Sequence, residues 1–416
     1  MMIRRLALVA LLFSPACSAQ PQSQPSNDAA TAADQAFVPP QPASASEPVP
    51  KNAPQNPSIK NVPAVAGKAN LPETPPPFAI QKIGQFEEPF GMAFLPDGGL
   101  LVTEKAGTVK LRHADGSVVT VTGNPKVDPG GQGGLLDVAI APDFAESKTV
   151  YLTYSEGGEK GRALALARGT LVAPNPAHAA LQNVEVIWRS GSNGPGGQFG
   201  ARIAFSPDGK YLFLSSGERQ RFSPAQDPEQ LLGKILRLTL DGKAAPGNPM
   251  YDAGGVRAMT WSTGHRNPYG LAFAPDGTLW ETEMGPRGGD ELNVILSGRN
   301  YGYPVVSNGD NYSGQPIPDH PSKPEFEAPK LWWNPSISPG GMMIYTGDLF
   351  PQYKGSAFIA ALSGQALIRV ELNGTTAKPA DQWAMDARIR DVIQAPDGAI
   401  WVLQDDGVLD RLTPKG

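Results

Sequence analysis

The chain has 416 residues, room for two or three average domains or one large domain with appendages, and ample to bury a core. Lys and Arg number 35 against 40 Asp and Glu, a net charge of −5, which argues against a nucleic-acid binder working through a basic face. Glycine (47) and proline (43) exceed their ordinary shares of about 7% and 5% without a collagen or heptad period, and one cysteine excludes a disulfide scaffold and a cysteine-based zinc site.

Residues 1–17 read MMIRRLALVALLFSPAC, with Arg4 and Arg5 ahead of a short apolar run over 6–13. This is the pattern of a secretory signal peptide, too short for a membrane span. Cys17 stands where a bacterial lipoprotein is cut and lipidated, although Ser14-Pro15-Ala16 matches a lipobox only loosely. An ordinary signal peptide cut after Ala19 is the alternative. The lipoprotein reading accounts for the only cysteine of an exported chain, so the expectation is a periplasmic protein held at the outer membrane, if at all, through Cys17. Residues 18–77 hold 14 prolines in 60 positions, with Phe37 the one aromatic. Such a stretch buries too little apolar surface to offset its ordering entropy, and the expectation is a disordered tether.

From residue 78 onward a unit recurs: a short apolar run, Pro-Asp-Gly or a relative, and a second apolar run. It appears as GMAFLPDGGLLVTEKAG (91–107), LDVAIAPDFAESKTVYLTYSE (136–156), ARIAFSPDGKYLFLSSGE (201–218), GLAFAPDGTLWETEMG (270–285) and DVIQAPDGAIWVLQDDG (391–407), with a degenerate copy at 343–362. The runs are four to six residues of strand formers. In the turn, Pro fixes φ, Asp bonds the local backbone and Gly takes positive φ, so Asp97, Asp208, Asp276 and Asp397 are read as turn residues. Six copies over 78–416 predict an all-β fold, a six-bladed β-propeller, with 78–83 completing the last blade.

A propeller's site lies at one end of its channel, so the informative segments are those that break the repeat. Gln132 sits between paired glycines. His265, Arg266 and Asn267 form a polar cluster before a buried strand. Glu283, Asp290 and Glu291 flank Gly285-Pro286, an oxygen-rich stretch suited to a hard cation such as Ca²⁺, or a solvated acidic loop. Arg388 and Arg390, two apart at a strand start, face one side and suit a polycarboxylate. No Ser-His-Asp set, phosphate loop or metal-binding His pair is evident.

The segments GQGGLLDVAIAPDF, FGARIAFSPDG, AQDPEQLLGKILRL, GHRNPYGLAF, GPRGGDELN, NYGYP and ARIRDV, in unbroken order from about 78 to 412, resemble the soluble pyrroloquinoline-quinone (PQQ) dependent aldose sugar dehydrogenases of the glucose/sorbosone dehydrogenase family. The resemblance implies PQQ at the channel mouth with Ca²⁺ beside it, and oxidation of an aldose at C1 to its lactone by hydride transfer to the quinone. It implies that Gln132, Arg266, Asn267, Arg388 and Arg390 contact the cofactor and that the carbonyls of Gly285 and Pro286 hold its Ca²⁺. It further implies that Glu291 and Tyr301 belong to a structural Ca²⁺ site. The partners are then a small sugar and an electron acceptor that the residues do not identify.

Two departures bear on the chemistry. The family's catalytic His of a GGHFG segment is Gln198, and a Lys that some members offer to PQQ is Ser363. A neutral amide takes no proton. Glu218, matching a family acid that supports the His, is the candidate substitute base, with Gln198 and Arg266 completing the expected catalytic set; a water relay is the alternative. Three hypotheses follow, in order: a PQQ-dependent sugar or alcohol dehydrogenase, a non-catalytic propeller binding a sugar, quinone or protein in the envelope, and a Ca²⁺-dependent lactonase-like hydrolase.

Overall fold

The protein's structure, a computed structural model, describes residues 67–415 apart from 160, 192, 193 and 195. The expected signal peptide, Cys17 and the expected tether up to residue 66 lie outside these. Two strands, β1 (Gly67–Lys68) and β2 (Phe78–Gln85), precede the repeated units. Blade one is β3 (Pro89–Phe94), β4 (Leu100–Glu104), β5 (Thr108–Arg112) and β6 (Val118–Thr122). Blade two is β7 (Leu135–Ile140), β8 (Thr149–Gly158), β9 (Gly161–Asn175) and β10 (His178–Arg189), and blade three is β11 (Gly200–Phe205), β12 (Tyr211–Ser216), β13 (Lys234–Thr239) and β14 (Thr260–Thr263). Blade four is β15 (Pro268–Phe273), β16 (Leu279–Glu283), β17 (Asp290–Val294) and β18 (Leu331–Trp333); blade five is β19 (Pro339–Ile344), β20 (Ala357–Ala361), β21 (Ala366–Asn373) and β22 (Thr376–Ala384). Blade six is β23 (Ile389–Gln394), β24 (Ile400–Gln404) and β25 (Val408–Pro414), completed by β2, which pairs antiparallel with β25.

The fold is therefore the six-bladed propeller expected, and each recurring unit supplies the first two strands of a blade. The inner strands β3, β7, β11, β15, β19 and β23 contact one another in a closed ring. The turn reading of the Pro-Asp-Gly aspartates agrees with their bonds: Asp97, Asp208, Asp276 and Asp397 each accept the N–H two residues on at 2.9–3.2 Å. One expectation is corrected. The tether does not extend to 77, because Gly67–Lys68 pairs in parallel with β18, Ala69 is buried, and Thr74 exchanges backbone bonds with β22. These residues carry no strand signal of their own; the edges of blades four and five impose their conformation.

The core lies between neighbouring blades. Trp280, Leu292 and Trp333 of blade four pack on Ile359, Ile368 and Val370 of blade five. Met92, Leu100 and Val102 of blade one pack on Trp401, Leu403 and Leu409 of blade six. Inside the channel, Arg202 on β11 bonds Asp137 on β7 at 2.8 Å and Asp391 on β23 at 3.2 Å, while its Nε donates to the Tyr269 carbonyl. Gly91 and Gly341 make this crossing possible, since a Cβ on Gly341 would meet Asp391 Oδ1 at 1.7 Å and one on Gly91 would meet Asp137 Oδ1 at 2.7 Å. The channel holds a cavity of about 310 Å³ lined by this charged triad together with apolar side chains such as Met92, Leu271 and Met342.

Two carboxylates facing one guanidinium leave a buried negative charge, and burial, with Asp137 adding to it against the pull of Arg202, pushes the Asp391 pKa up to about 6. That value lies above the ordinary 3.8, so between the two the folded chain keeps a proton that the unfolded chain releases. The stability this group contributes is present at low pH and is lost as pH rises through about 6. Asp391→Asn should flatten the fall in urea midpoint between about pH 4 and 7, and parallel profiles for the two proteins would contradict this. Arg202→Met, which leaves two unpaired carboxylates, should cost about 3–5 kcal/mol in the same unfolding measurement.

Candidate active site

All the expected site residues fall at one end of the ring. Gln132, Gln198, Arg266, Asn267 and Arg388 lie just before inner strands, with Arg390 on the second residue of β23. Glu218, Gly285, Pro286 and Ser363 lie just after second strands, which run antiparallel to the first and end at the same rim. Every inner hairpin has a register irregularity at this end, between Pro89 and Met92, Leu135 and Val138, Gly200 and Ile203, Pro268 and Gly270, Pro339 and Met342, and Ile389 and Asp391. Such bulges turn side chains away from the sheet plane, here at the channel mouth.

Gln198 is the centre of one cluster. Its backbone is left-handed (φ 56°) and its N–H donates to Gln132 Oε1 at 2.7 Å. With Oε1 accepting from Arg266 Nη2 at 2.6 Å and Nε2 donating to Glu218, its amide bridges a guanidinium and a carboxylate. The preceding Gly197 N–H donates to Gln220, and its carbonyl accepts from Arg219 Nε. Arg219, buried over the Phe199 ring at 3.7 Å, also donates to the Arg162, Gly194 and Gly196 carbonyls. The segment carrying Gln198 is thus held from both sides.

Glu218 has a structural task that its sequence does not announce. Arg219, Gln220 and Phe222 all have positive φ (57–64°), and the N–H groups of Gln220, Arg221 and Phe222 converge on the Glu218 carboxylate at 2.5–3.0 Å. This is an anion nest whose anion is the chain's own. Burial pushes the Glu218 pKa up, against the opposing pull of Arg266 and those three N–H groups.

Arg266 is buried. Its Nη1 donates to the Met284 and Gly285 carbonyls at 3.1 and 2.6 Å, and its guanidinium lies against the rings of Tyr303 and Tyr312. Its Nε is buried without a hydrogen-bond partner among the described residues. Asn267 accepts the Gly200 N–H at 3.1 Å and contacts Met284 Sδ, so it joins blades three and four. Arg388 and Arg390 come together on one carboxylate, that of Asp405. Arg390 also lies over Phe90, whose ring meets Tyr269 edge-on, two residues from Asn267. The arginine pair and the Gln198 cluster therefore belong to one rim.

The acidic stretch divides into two environments. Asp290 is not available to a metal: it accepts from Gly285 N–H, Ser336 Oγ and the N–H groups of Ile337 and Ser338. Gly285's carbonyl faces Arg266, so a cation joins it only beside an anionic ligand that offsets both charges. Glu281, Glu283 and Glu291 are buried together on β16 and β17, with Glu283 directly opposite Glu291 across the ladder. Like charges so placed destabilise a sheet. Asn293 Nδ2 donates to Glu281 at 3.0 Å and Glu291 at 3.2 Å, and Glu281 Oε1 is buried without a partner among the described residues. His265 Nδ1 meets Glu283 at 3.1 Å and its ring stacks on Tyr301, whose carbonyl accepts from His320 Nε2. Possible ligand atoms of His265, Glu281 and Glu283 lie within 4.8 Å of one another. Burial and the neighbouring Glu283 push the Glu281 and Glu291 carboxyls well up. This pocket fits a hard cation better than it fits three bare carboxylates.

Sequence reasoning missed Asp405, Tyr303, Tyr312 and the Glu281 member of the acidic pocket. The last had a signal, since Glu-Thr-Glu on one strand and Glu-Leu-Asn on its hairpin partner put four polar groups on one face.

The chain belongs to the glucose/sorbosone dehydrogenase family, whose model matches residues 86–411. It is 40% identical over 349 residues to the aldose sugar dehydrogenase YliI of Escherichia coli, spanning 80% of this chain and 91% of that protein. The apo crystal structure of the soluble aldose sugar dehydrogenase of E. coli aligns with a TM-score of 0.75 at 36% identity, covering 81% of this chain and all of that one. The PQQ-bound form of the aldose sugar dehydrogenase of Streptomyces coelicolor aligns at 0.67 and 29% identity, covering 82% and 99%.

If the acidic pocket takes Ca²⁺, added Ca²⁺ should raise the melting temperature of the wild-type protein by mass action. Glu291→Ala should abolish that rise. A thermal shift equal in both proteins would count against the pocket as a metal site.

Proposed function

We propose that the protein is an exported PQQ-dependent dehydrogenase that oxidises an aldose to its lactone with Ca²⁺ as companion ion. The observation that carries this reading is the unused donor capacity of one rim. Arg266 Nε is buried with no partner among the described residues, and Arg388 and Arg390 share one carboxylate. An unpaired buried donor costs about 1–3 kcal/mol, so an acceptor-rich anionic ligand is favoured there. PQQ is a planar tricarboxylate of that kind, and its quinone would supply the two-electron oxidant for the sugar C1. Gln132, whose Oε1 is committed to Gln198, has its Nε2 left to donate. Asn267, Arg266, Arg388 and Arg390 supply the remaining contacts, and the Gly285 and Pro286 carbonyls are the candidates for a Ca²⁺ that enters with the cofactor.

The proton of the sugar hydroxyl needs an acceptor. The Gln198 amide, held between Arg266 and Glu218, orients a hydroxyl and does not deprotonate it. Glu218 is the carboxylate that contacts it, and burial raises its proton affinity. Protonating it weakens the nest over 220–222, which favours a relay through water with Glu218 as its anchor.

A second reading, a binding propeller without turnover, is supported by Gln198 itself. Reconstitution with PQQ and Ca²⁺, followed by aldose assays with an artificial electron acceptor, separates the two. Turnover is expected, and cofactor binding without turnover would favour the binding module. Gln198→His should raise activity and bring in a pH dependence near the imidazole value of about 6.5. Glu218→Gln should lower kcat by about 10²–10⁴-fold, and an active enzyme indifferent to that change would remove Glu218 from the proton path. For the export and lipidation part of the reading, mass spectrometry of the envelope form should find a lipidated N-terminal Cys17, and a mature N-terminus elsewhere would contradict it.

A further inference from the structure

Arg388 and Arg390 would be expected to repel each other, splay and wander in solvent, since Arg388 is 48% exposed and sits at a strand start. One carboxylate prevents this. Asp405 Oδ2 accepts Arg388 Nε at 2.8 Å, and Oδ1 accepts Arg390 Nε and Nη2 at 2.9 and 2.5 Å. The Asp405 N–H also donates to the Arg388 carbonyl at 2.8 Å, fixing the same turn to the same strand start. Burial would push the Asp405 pKa up, but the arginine pair outweighs it and holds the carboxyl below its ordinary value, so it stays ionised.

The direction of these bonds matters. A guanidinium offers a side edge, Nε with one Nη, and an end, the two Nη groups. Asp405 takes the side edge of Arg390 and the Nε of Arg388. The Nη groups of Arg388 donate to nothing among the described residues, and Arg390 Nη1 likewise. This leaves the two-Nη ends of both guanidiniums without a protein acceptor among the described residues, with one net positive charge between the pair. An end-on fork is the geometry that takes a ligand carboxylate in two bonds.

Asp405 is itself held. Its turn ends at Gly407 (φ 97°), where a Cβ would meet the Phe86 carbonyl at 1.8 Å. Gln85 Nε2 donates to the Asp406 carbonyl and the Phe86 N–H donates to the Gly407 carbonyl. The strand that closes the propeller therefore also fixes the turn that aims the arginines.

The geometry points to Asp405 as a positioning residue that sets Arg388 and Arg390 end-on for a carboxylate of a planar polycarboxylate ligand. Only Arg388 is half exposed, and its pair with Asp405 contributes little to stability; the Arg390 pair is mostly covered, so ligand binding is compared with the unfolding midpoint of the same variant. This rests on the PQQ reading for the identity of the ligand, and on geometry alone for the arrangement of the arginines.

Two measurements on the full-length protein test it. PQQ affinity is read by quenching of tryptophan fluorescence at saturating Ca²⁺. Asp405→Asn removes a negative charge beside an anion site, so charge alone predicts tighter binding. Loss of positioning predicts the opposite sign, a weakening of about tenfold or more. Tighter or unchanged binding by Asp405→Asn overturns the proposal. Asp405→Glu keeps the charge and moves it by one methylene; it should also weaken binding, and an unchanged affinity would count against the proposal even if Asp405→Asn fails to fold. Arginine modification by phenylglyoxal, read by peptide mass spectrometry without cofactor, is the second measurement. Arg390 should react several-fold faster in Asp405→Asn than in wild type, and equal rates overturn the positioning role. If the wild-type protein binds no PQQ while the reactivity difference holds, the cofactor reading fails and the positioning role stands.

Discussion

Six sheets arranged around an axis bury their faces only if the ring closes, and here closure depends on one pairing. The first long strand, β2, is separated from β25 by the whole propeller in sequence and completes its sheet. The pairing joins blade six to the start of the chain and removes two open edges that would otherwise invite association. It also seats Phe78 against Trp383 and Phe350, so the same strand seals the seam to blade five. Through Gln85 and Phe86 the closing strand reaches the rim turn over 405–407. Ring closure and the order of the arginine pair are therefore parts of one structure.

The channel is organised by charge in layers. At the rim, three arginines exceed the carboxylates that touch them, since Glu218 serves Arg266 through Gln198 and Asp405 serves the other two. Deeper, Arg202 is outnumbered by Asp137 and Asp391. Beside the rim, in blade four, Glu281, Glu283 and Glu291 are buried together, and among the described residues Asn293, His265 and a backbone N–H answer them. An anion at the rim and a hard cation in blade four each relieve an imbalance that the fold itself builds. The two needs match a polycarboxylate cofactor and Ca²⁺ without requiring that either dictate the fold.

The repeat was legible because each blade repeats the same local chemistry: a strand former run, a Pro-Asp-Gly turn and a second run. The rim positions of Gln132, Gln198, Arg266 and Arg388 were legible for the same reason, since residues before a first strand must emerge at one end. What could not be read is what depends on partners distant in sequence. Gly67–Lys68 becomes a strand only because β18 lies there. Glu218 reads as a free acid until the left-handed residues 219, 220 and 222 fold their N–H groups onto it. Asp405, in a Gln-Asp-Asp-Gly turn, looks like a solvated turn residue, and its function exists only once β23 brings Arg388 and Arg390 against it.

One rim of this propeller is proposed as the cradle for a planar polycarboxylate quinone. A crystal structure of the protein soaked with PQQ and Ca²⁺ tests it most directly. Density is expected for the cofactor at the rim, with its carboxylates on Arg388 and Arg390 and an acceptor atom at Arg266. A rim left empty at saturating PQQ, or cofactor bound at the opposite end of the channel, would contradict it.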